Sequence, residues 1–225
     1  MTSPARPDLP AWLQPLAEAA RRARPDQLGR FDPPEQGGRD SAVLMLFGDG
    51  ERGPEVLLIE RARSLRNHAG QPAFPGGAVD PGDGGPVQAA LREATEETGL
   101  DPAGVQVVAT LPPLYLPPSG FVVTPVLAWW RQPSPVRAVD QAEVASVHRI
   151  PVAHLVDPAR RYRVRHPSGY VGPAFAVDGL VVWGFTAGLL DRLLHLAGWE
   201  VPWDPSRLLD LPPSPAHPRP PESPR

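Results

Sequence analysis

Three glutamates, Glu93, Glu96 and Glu97, lie close together in the segment REATEETGL. On a helix that turns about 100° per residue, positions i, i+3 and i+4 lie on one side, so the three carboxylates share a face. Like charges at this spacing repel by roughly 0.2–0.5 kcal/mol per pair. A divalent cation would offset that repulsion, and an all-oxygen ligand set is typical of Mg²⁺ or Mn²⁺ rather than Zn²⁺. The alternative is a solvated helix surface on which Arg92 pairs with Glu96.

The elements around these glutamates predict how they are positioned. A helix is expected from about Pro86 to Thr98, because proline suits the first helical position and Gly99 suits the C-terminal cap. The predicted core-facing stripe of this helix is Val87, Ala90, Leu91, Ala94 and Thr98. A glycine-rich loop, FPGGAVDPGDGG, precedes it. Such a loop is favoured where the backbone must approach another group closely.

A cluster of cationic side chains lies just upstream of the glycine-rich loop. It consists of Arg61, Arg63, Arg66 and His68. Arginine can bind a phosphate group through two parallel hydrogen bonds, so the cluster is suited to a substrate with several phosphates. We interpret Arg61 and Arg66 as substrate contacts. For Arg63 we favour the alternative, a surface ion pair with an acidic neighbour such as Glu60.

The glutamate segment resembles the Nudix box. The general form of that box is a glycine, five residues, a glutamate, seven residues and then R-E-apolar-x-E-E-x-G-apolar. The run from Arg92 to Leu100 matches, and Gly77 matches the leading glycine. Asp83 stands where the first glutamate belongs, and eight residues rather than seven separate it from Arg92. This departure leaves the role of the first acidic position open.

The resemblance implies both a fold and a metal site. The implied fold class is α/β, an α/β/α sandwich with a mixed sheet. Glu93, Glu96 and Glu97 would bind Mg²⁺ or Mn²⁺, and Arg92 would orient them. Glu143 resembles a glutamate often found on a late strand near the metal, where a fourth ligand or a general base would suit it; the alternative is a plain residue at the edge of the sheet. The implied catalytic residues are therefore Glu96, Glu97, Arg92 and Glu143, with Glu96 and Glu143 as alternative general bases.

A second pattern, from Leu57 to Gly77, resembles the additional motif of the coenzyme A pyrophosphatase branch of the Nudix family. Its spacing is LL-x2-R-x4-R-x3-G-x3-FPGG, without a gap. The resemblance implies substrate contacts from Arg61, Arg66, Gly76 and Gly77. It also implies hydrolysis of coenzyme A, or a derivative, to 4′-phosphopantetheine and adenosine 3′,5′-bisphosphate. The alternatives are a broader pyrophosphatase of the ADP-ribose or NADH type and a non-catalytic nucleotide-sensing module.

Composition excludes several other kinds of chemistry. There is no cysteine among the 225 residues, which excludes disulfides, thiolate metal sites and cysteine nucleophiles. All 22 basic residues are arginine, which excludes lysine Schiff-base chemistry. A net charge of −3 gives no electrostatic basis for binding nucleic acid or a membrane. We therefore expect a small-molecule substrate and a cytoplasmic protein, and we leave open whether it forms a homodimer.

The chain is predicted to contain one α/β domain at residues 39–200. An N-terminal amphipathic helix and linker (1–38) precede it, and a proline-rich tail (201–225), expected to be disordered, follows. A leucine-rich helix, Thr186–Ala197, is expected to close the domain. The predicted strands are Ser41–Phe47, Glu55–Glu60, Val105–Leu111, Phe121–Arg131, Ala142–Arg149, and a late pair, Arg161–Arg165 with Leu180–Trp183.

Overall fold

The computed structural model describes residues 9–29, 37–65, 68–117, 119–167 and 169–211. The α-helices are α1 (Gln14–Arg22), α2 (Pro25–Leu28), α3 (Pro86–Thr98), α4 (Val152–Val156) and α5 (Gly184–Leu196). The strands are β1 (Arg39–Gly50), β2 (Gly53–Arg61), β3 (Pro72–Ala73), β4 (Gly76–Ala78), β5 (Val105–Thr110), β6 (Leu114–Leu116), β7 (Phe121–Trp130), β8 (Val144–Pro151), β9 (Arg161–Arg165), β10 (Val171–Val177), β11 (Leu180–Val182) and β12 (Leu208–Asp210).

The larger of two sheets is mixed and has the strand order β3-β2-β1-β7-β5. Strand β8 pairs with β2, β4 with β1 and β6 with β7. The pair β1–β7 is parallel, with Ser41 opposite Val123, whereas the other pairs in this sheet are antiparallel. The parallel pair places the first residues of β1 and β7 at the same end of the sheet.

A short segment, residues 72–78, lies between β1 and β2 where these two strands separate. The β1–β2 ladder covers only the part of the hairpin from Phe47 and Val56 to the turn. Beyond it, β3 pairs with β2 and β4 pairs with β1. The backbone N–H of Leu44 also donates to the carbonyl of Pro75 at 2.8 Å. We call residues 72–78 the wedge segment, because it fills the gap between the separating strands.

Helices cover both faces of this sheet, which confirms the predicted α/β/α arrangement. Side chains alternate between the faces with the period of two that strands require. Leu44 and Leu46 of β1 pack against the alanines of α3 in one buried cluster. Met45 and Phe47 belong to a second cluster on the other face, which includes side chains of α1 and α5.

The bounds of α3 match the prediction from Pro86 to Thr98, and Gly99 caps the helix in a left-handed conformation with φ = 69°. The closing helix α5 also matches within two residues. The predicted N-terminal helix is present as α1, and its apolar residues Leu16 and Ala20, together with Leu13 from the 3-10 turn just before it, enter the main core.

The smaller sheet differs from the prediction. Its order is β11-β10-β9-β12, so β10 lies between the two strands that we expected to pair directly. The tail was expected to be disordered from residue 201, but β12 pairs with β9 in parallel. The tail also places Trp203 against the buried Arg161, at 4.7 Å from the ring centroid. Residues 212–225 lie outside the described residues.

The helices in the described ranges are all too short or too polar to span a bilayer.

Candidate active site

Glu97 is the most deeply buried acid of the predicted metal-binding helix. It lies one turn after Ala94, so the helix directs it toward the sheet, and its side chain is only 4% exposed. The backbone N–H of Gly76 in the wedge segment donates to Glu97 Oε2 at 2.9 Å. The other oxygen, Oε1, lies 4.0 Å from Nη1 of Arg61. The sequence pattern assigned Glu97 to a polar face, so its burial was not predicted.

The glycine pair of the wedge segment allows close packing against the Glu93 carboxylate and against β1. A Cβ on Gly77 would lie 2.4 Å from the carboxyl carbon of Glu93. A Cβ on Gly76 would lie 2.2 Å from the carbonyl oxygen of Ala42, and the φ of Gly76 is +156°. Gly76 therefore requires glycine for packing alone, whereas a side chain at position 77 would displace the carboxylate of Glu93. The predicted contacts of Gly76 and Gly77 with substrate remain predictions.

Arg92 contacts several acidic side chains and so fixes their relative positions. Its Nε and Nη2 donate to the two oxygens of Asp83 at 3.0 and 3.1 Å, and Nη2 also donates to the carbonyl of Ala78. Its Nη1 lies 3.0 Å from both Glu93 Oε1 and Glu96 Oε2. The same nitrogen thus contacts both glutamates. This supports the orienting role that the resemblance implied for Arg92, and that role stays a prediction.

Asp83, which departs from the pattern of the Nudix box, is the residue that holds the Arg92 side chain in place. The hydrogen bond from Arg92 holds the pKa of Asp83 below its usual range. The same hydrogen bond is the main reason that the pKa of Arg92 is raised. A carboxylate with two bonds to a guanidinium restricts the rotation of that group. We infer from this geometry that Asp83 positions Arg92 despite its shorter side chain.

Burial and mutual repulsion raise the pKa values of the central acids. Burial, with smaller contributions from the charges of Glu93 and Glu143, raises the pKa of Glu97 to about 7, although the Gly76 hydrogen bond and Arg61 oppose the change. Burial also raises the pKa of Glu93, with smaller contributions from Glu96 and Glu143. A bound cation would relieve both effects, because it stabilises the charged form. The donor set is all oxygen, which fits Mg²⁺ or Mn²⁺.

The acids are not arranged as a finished metal site. Within the residues that the structure describes, no three acidic or histidine side chains are placed to hold one metal ion. Arg92 binds Glu93 and Glu96, and Arg61 faces Glu97. Glu96 is 59% exposed, so it lies at the edge of the cluster. The assignment of Glu93, Glu96 and Glu97 as ligands stays a prediction, and it requires these side chains to leave their arginine partners.

Glu143 reaches the cluster from a turn rather than from a strand. We predicted a strand over Ala142–Arg149, but β8 begins at Val144 and Glu143 precedes it. The carbonyl of Glu143 accepts from the N–H of Ala62 at 2.8 Å, so this turn is attached to the end of the arginine segment. Its charge contributes to raising the pKa values of both Glu93 and Glu97.

The loop before Glu143 is a part of the site that the sequence did not reveal. The N–H groups of Arg137 and Val139 donate to the carbonyls of Thr98 and Glu97, at 2.9 and 3.1 Å. These bonds satisfy two carbonyls that the end of a helix leaves free. No turn signal in the sequence connects this loop with α3.

The arginine segment is divided between the site and the surface. Arg61, the last residue of β2, approaches Glu97, and its Nε is buried with no hydrogen-bond partner among the described residues. Arg63 forms an exposed ion pair with Glu60 at 3.7 Å, which confirms the surface interpretation. Arg66 lies outside the described residues, so its predicted contact with substrate stays a prediction.

Comparison with known proteins agrees with this geometry. The sequence profile of the NUDIX domain matches residues 38–168. "Uncharacterized Nudix hydrolase NudL" of Escherichia coli (strain K12) is 40% identical over 144 residues, covering 62% of this chain and 73% of that protein. The protein of the same name from Shigella boydii serotype 18 has the same identity and coverage. The chain belongs to the Nudix hydrolase family.

A solved structure supports the fold assignment. The crystal structure of a Nudix hydrolase from M. smegmatis, RenU, superimposes with a TM-score of 0.50 at 21% identity. The superposition covers 72% of this chain and 88% of that one. At this identity the likeness concerns the fold alone.

Proposed function

We propose that this Nudix hydrolase cleaves the pyrophosphate of coenzyme A, or of a coenzyme A derivative, with Mg²⁺ or Mn²⁺. The products would be 4′-phosphopantetheine and adenosine 3′,5′-bisphosphate. The observation that carries the proposal is the placement of Arg61 beside the buried Glu97. It brings a phosphate-binding cation from the coenzyme A-type motif directly against the carboxylate cluster.

In this proposal, each side chain of the site has a distinct role. Glu93 and Glu97, with Glu96 at the edge, would hold the metal, which when bound neutralises phosphate oxygens and activates a water molecule. Arg61 and Arg66 would bind the phosphates, and coenzyme A carries a 3′-phosphate in addition to its pyrophosphate. Glu96 or Glu143 would accept the proton from the attacking water.

Arg92 would not touch the substrate in this scheme. Held by Asp83, it keeps the glutamates in place. The wedge segment fixes the backbone beneath them through the N–H of Gly76. Most of the rate enhancement would then come from positioning and from neutralising charge on the phosphates.

The direct test is a substrate panel followed by chromatography. The purified chain with Mg²⁺ or Mn²⁺ should convert coenzyme A to the two named products faster than it cleaves ADP-ribose or NADH. The Glu97→Gln variant should lose turnover while keeping its circular dichroism spectrum. Glu51→Gln, in the exposed turn between β1 and β2, serves as the control and should match the wild type.

Two outcomes would redirect the assignment. Rapid cleavage of ADP-ribose or NADH without cleavage of coenzyme A would indicate the broader pyrophosphatase. Nucleotide binding with no turnover of any diphosphate would indicate a non-catalytic module, although this chain keeps all three helix glutamates. A cytoplasmic location, the absence of nucleic-acid and membrane partners, and the choice between monomer and homodimer remain part of the proposal.

A further inference from the structure

Arg61 is placed to compete with a metal ion for Glu97. Glu97 has two carboxylate oxygens, and both already face positive or partly positive groups. Oε2 accepts the N–H of Gly76 at 2.9 Å, and Oε1 faces the guanidinium of Arg61 at 4.0 Å. A cation bound at Oε1 would meet the positive charge of Arg61 at close range. The two positive charges therefore repel each other, and each weakens the interaction of the other with this oxygen.

Beside Glu97, Arg61 uses only part of its hydrogen-bonding capacity. At 4.0 Å, the contact with Glu97 is longer than a hydrogen bond. The Nε of Arg61 is buried and has no hydrogen-bond partner in the described ranges. A phosphate group could accept from Nε and one Nη at once, which is the geometry that guanidinium groups favour. A phosphate would thus satisfy the Nε that Glu97 leaves unpaired.

The cluster as a whole shows the same pattern. An arginine lies beside each of the three helix glutamates. Arg61 faces Glu97, and Arg92 Nη1 lies 3.0 Å from both Glu93 and Glu96. Asp83 fixes Arg92 through two hydrogen bonds. Among the described residues, Arg61 has no carboxylate partner besides Glu97. Of these two arginines, Arg61 is the one that can leave without losing a bidentate bond.

We propose that Arg61 couples substrate binding to metal binding, by holding Glu97 in the free protein and passing to a substrate phosphate when substrate arrives. Its transfer leaves Glu97 Oε1 available to the metal. Each ligand then raises the affinity for the other, and the effect is equal in both directions because the coupling is a free energy shared by two sites. This inference rests on the proposed function and adds to it a mechanism for ordering the site.

The test measures metal affinity without turnover. Mn²⁺ binding is followed by titration calorimetry for the full chain, alone and with saturating adenosine 3′,5′-bisphosphate. In the wild type, the nucleotide should tighten Mn²⁺ binding at least about fivefold, the lower end of typical coupling. In Arg61→Gln, Mn²⁺ alone should bind at least about fivefold more tightly than in the wild type, and the nucleotide should add little.

Two variants separate this mechanism from simpler ones. Arg63→Gln removes one positive charge from the same segment, where Arg63 pairs with Glu60 at the surface. It should leave both the Mn²⁺ affinity and the coupling near the wild-type values. Arg61→Lys keeps the charge, so Mn²⁺ alone should bind as weakly as in the wild type. Circular dichroism spectra would establish that each variant is folded.

The outcomes distinguish this inference from the proposed function. If Arg61→Gln and Arg63→Gln bind Mn²⁺ equally well, Arg61 does not compete for the site. If the coupling in Arg61→Gln is as large as in the wild type, it arises from direct contact between phosphate and metal, and our inference is wrong. Either result leaves hydrolysis by the wild type unaffected. Absence of wild-type turnover on every diphosphate would instead refute the proposed function.

Discussion

Replacing Glu97 by glutamine should stabilise the metal-free protein at alkaline pH while it abolishes activity. The side chain is 4% exposed, and burial raises its pKa from 4.5 to about 7. Because the pKa is higher in the folded state than in the unfolded state, the folded protein keeps this proton where the unfolded chain has lost it. The stability contributed by the proton is fully present below pH 4.5 and disappears as the pH rises to about 7.

The magnitude follows from the same two values. One pKa unit corresponds to about 1.36 kcal/mol, so the change from 4.5 to about 7 represents about 3 kcal/mol. Glutamine is uncharged at all pH values and can still accept the N–H of Gly76. For a chain of this length, we expect the variant to melt about 6–12 °C above the wild type at pH 8 in a chelating buffer. At pH 4.5 the two proteins should melt at similar temperatures.

The assay is thermal or urea denaturation at both pH values, with and without Mn²⁺. The Glu96→Gln variant serves as the control, because Glu96 is largely exposed, and it should remain within about 0.5 kcal/mol of the wild type. Mn²⁺ should raise the melting temperature of the wild type at pH 8 and have a much smaller effect on the Glu97→Gln variant. Equal stability of wild type and variant at pH 8 without metal would refute the argument that Glu97 carries a costly buried charge.

Three further substitutions test the supporting residues. Asp83→Asn should lower kcat about tenfold or more, because Arg92 loses the carboxylate that holds it in place. The control is Asp80→Asn, at an exposed partner of the same arginine, which should change kcat little. Equal effects of the two variants in a kinetic assay would contradict the role of Asp83. Gly77→Ala should reduce kcat about tenfold or more, because the new Cβ would displace the carboxyl group of Glu93. The matched control is Gly82→Ala, which has open space around it and should leave kcat near the wild-type value. Wild-type turnover by Gly77→Ala would show that Glu93 can move without loss. Arg161→Met should destabilise the fold by about 3 kcal/mol in urea because it leaves the partly buried Asp191 unpaired, while kcat stays unchanged. A loss of kcat in the folded variant would link this cluster to catalysis.

The sequence predicted the elements whose signals are local. The start and end of α3 follow from Pro86 and Gly99, and the outcome matched at both ends. The apolar runs of β1, β2 and β7 likewise predicted strands, because short apolar runs bounded by turn signals are typical of buried strands. The acidic face of α3 and the arginine beside it were also visible, since they depend on spacing within one segment.

The features that the sequence missed depend on contacts between distant segments. Strand β10 begins VGP, and glycine and proline there favoured a turn. Strand β12 is only three residues long and exists because β9 offers it a partner. The burial of Glu97 results from the wedge segment, whose Gly76 N–H makes a polar side chain acceptable inside the protein. No local pattern encodes such a partner 21 residues away.

The position of the wedge segment determines where the chain can change length. A residue added between Ala73 and Gly76 would shift one of two ladders by a step, turn Phe74 out of the core and withdraw the Gly76 N–H from Glu97. A residue added between Asp83 and Pro86 meets no such constraint, because it lies beyond the Val79–Asp40 hydrogen bond that continues the β4–β1 pairing and beyond Asp83, which holds Arg92. Relative to the Nudix box, this chain has its extra residue between Asp83 and Arg92. We expect the same insertion to disable the protein if it were moved about eight positions upstream, which is about 26 Å of extended chain.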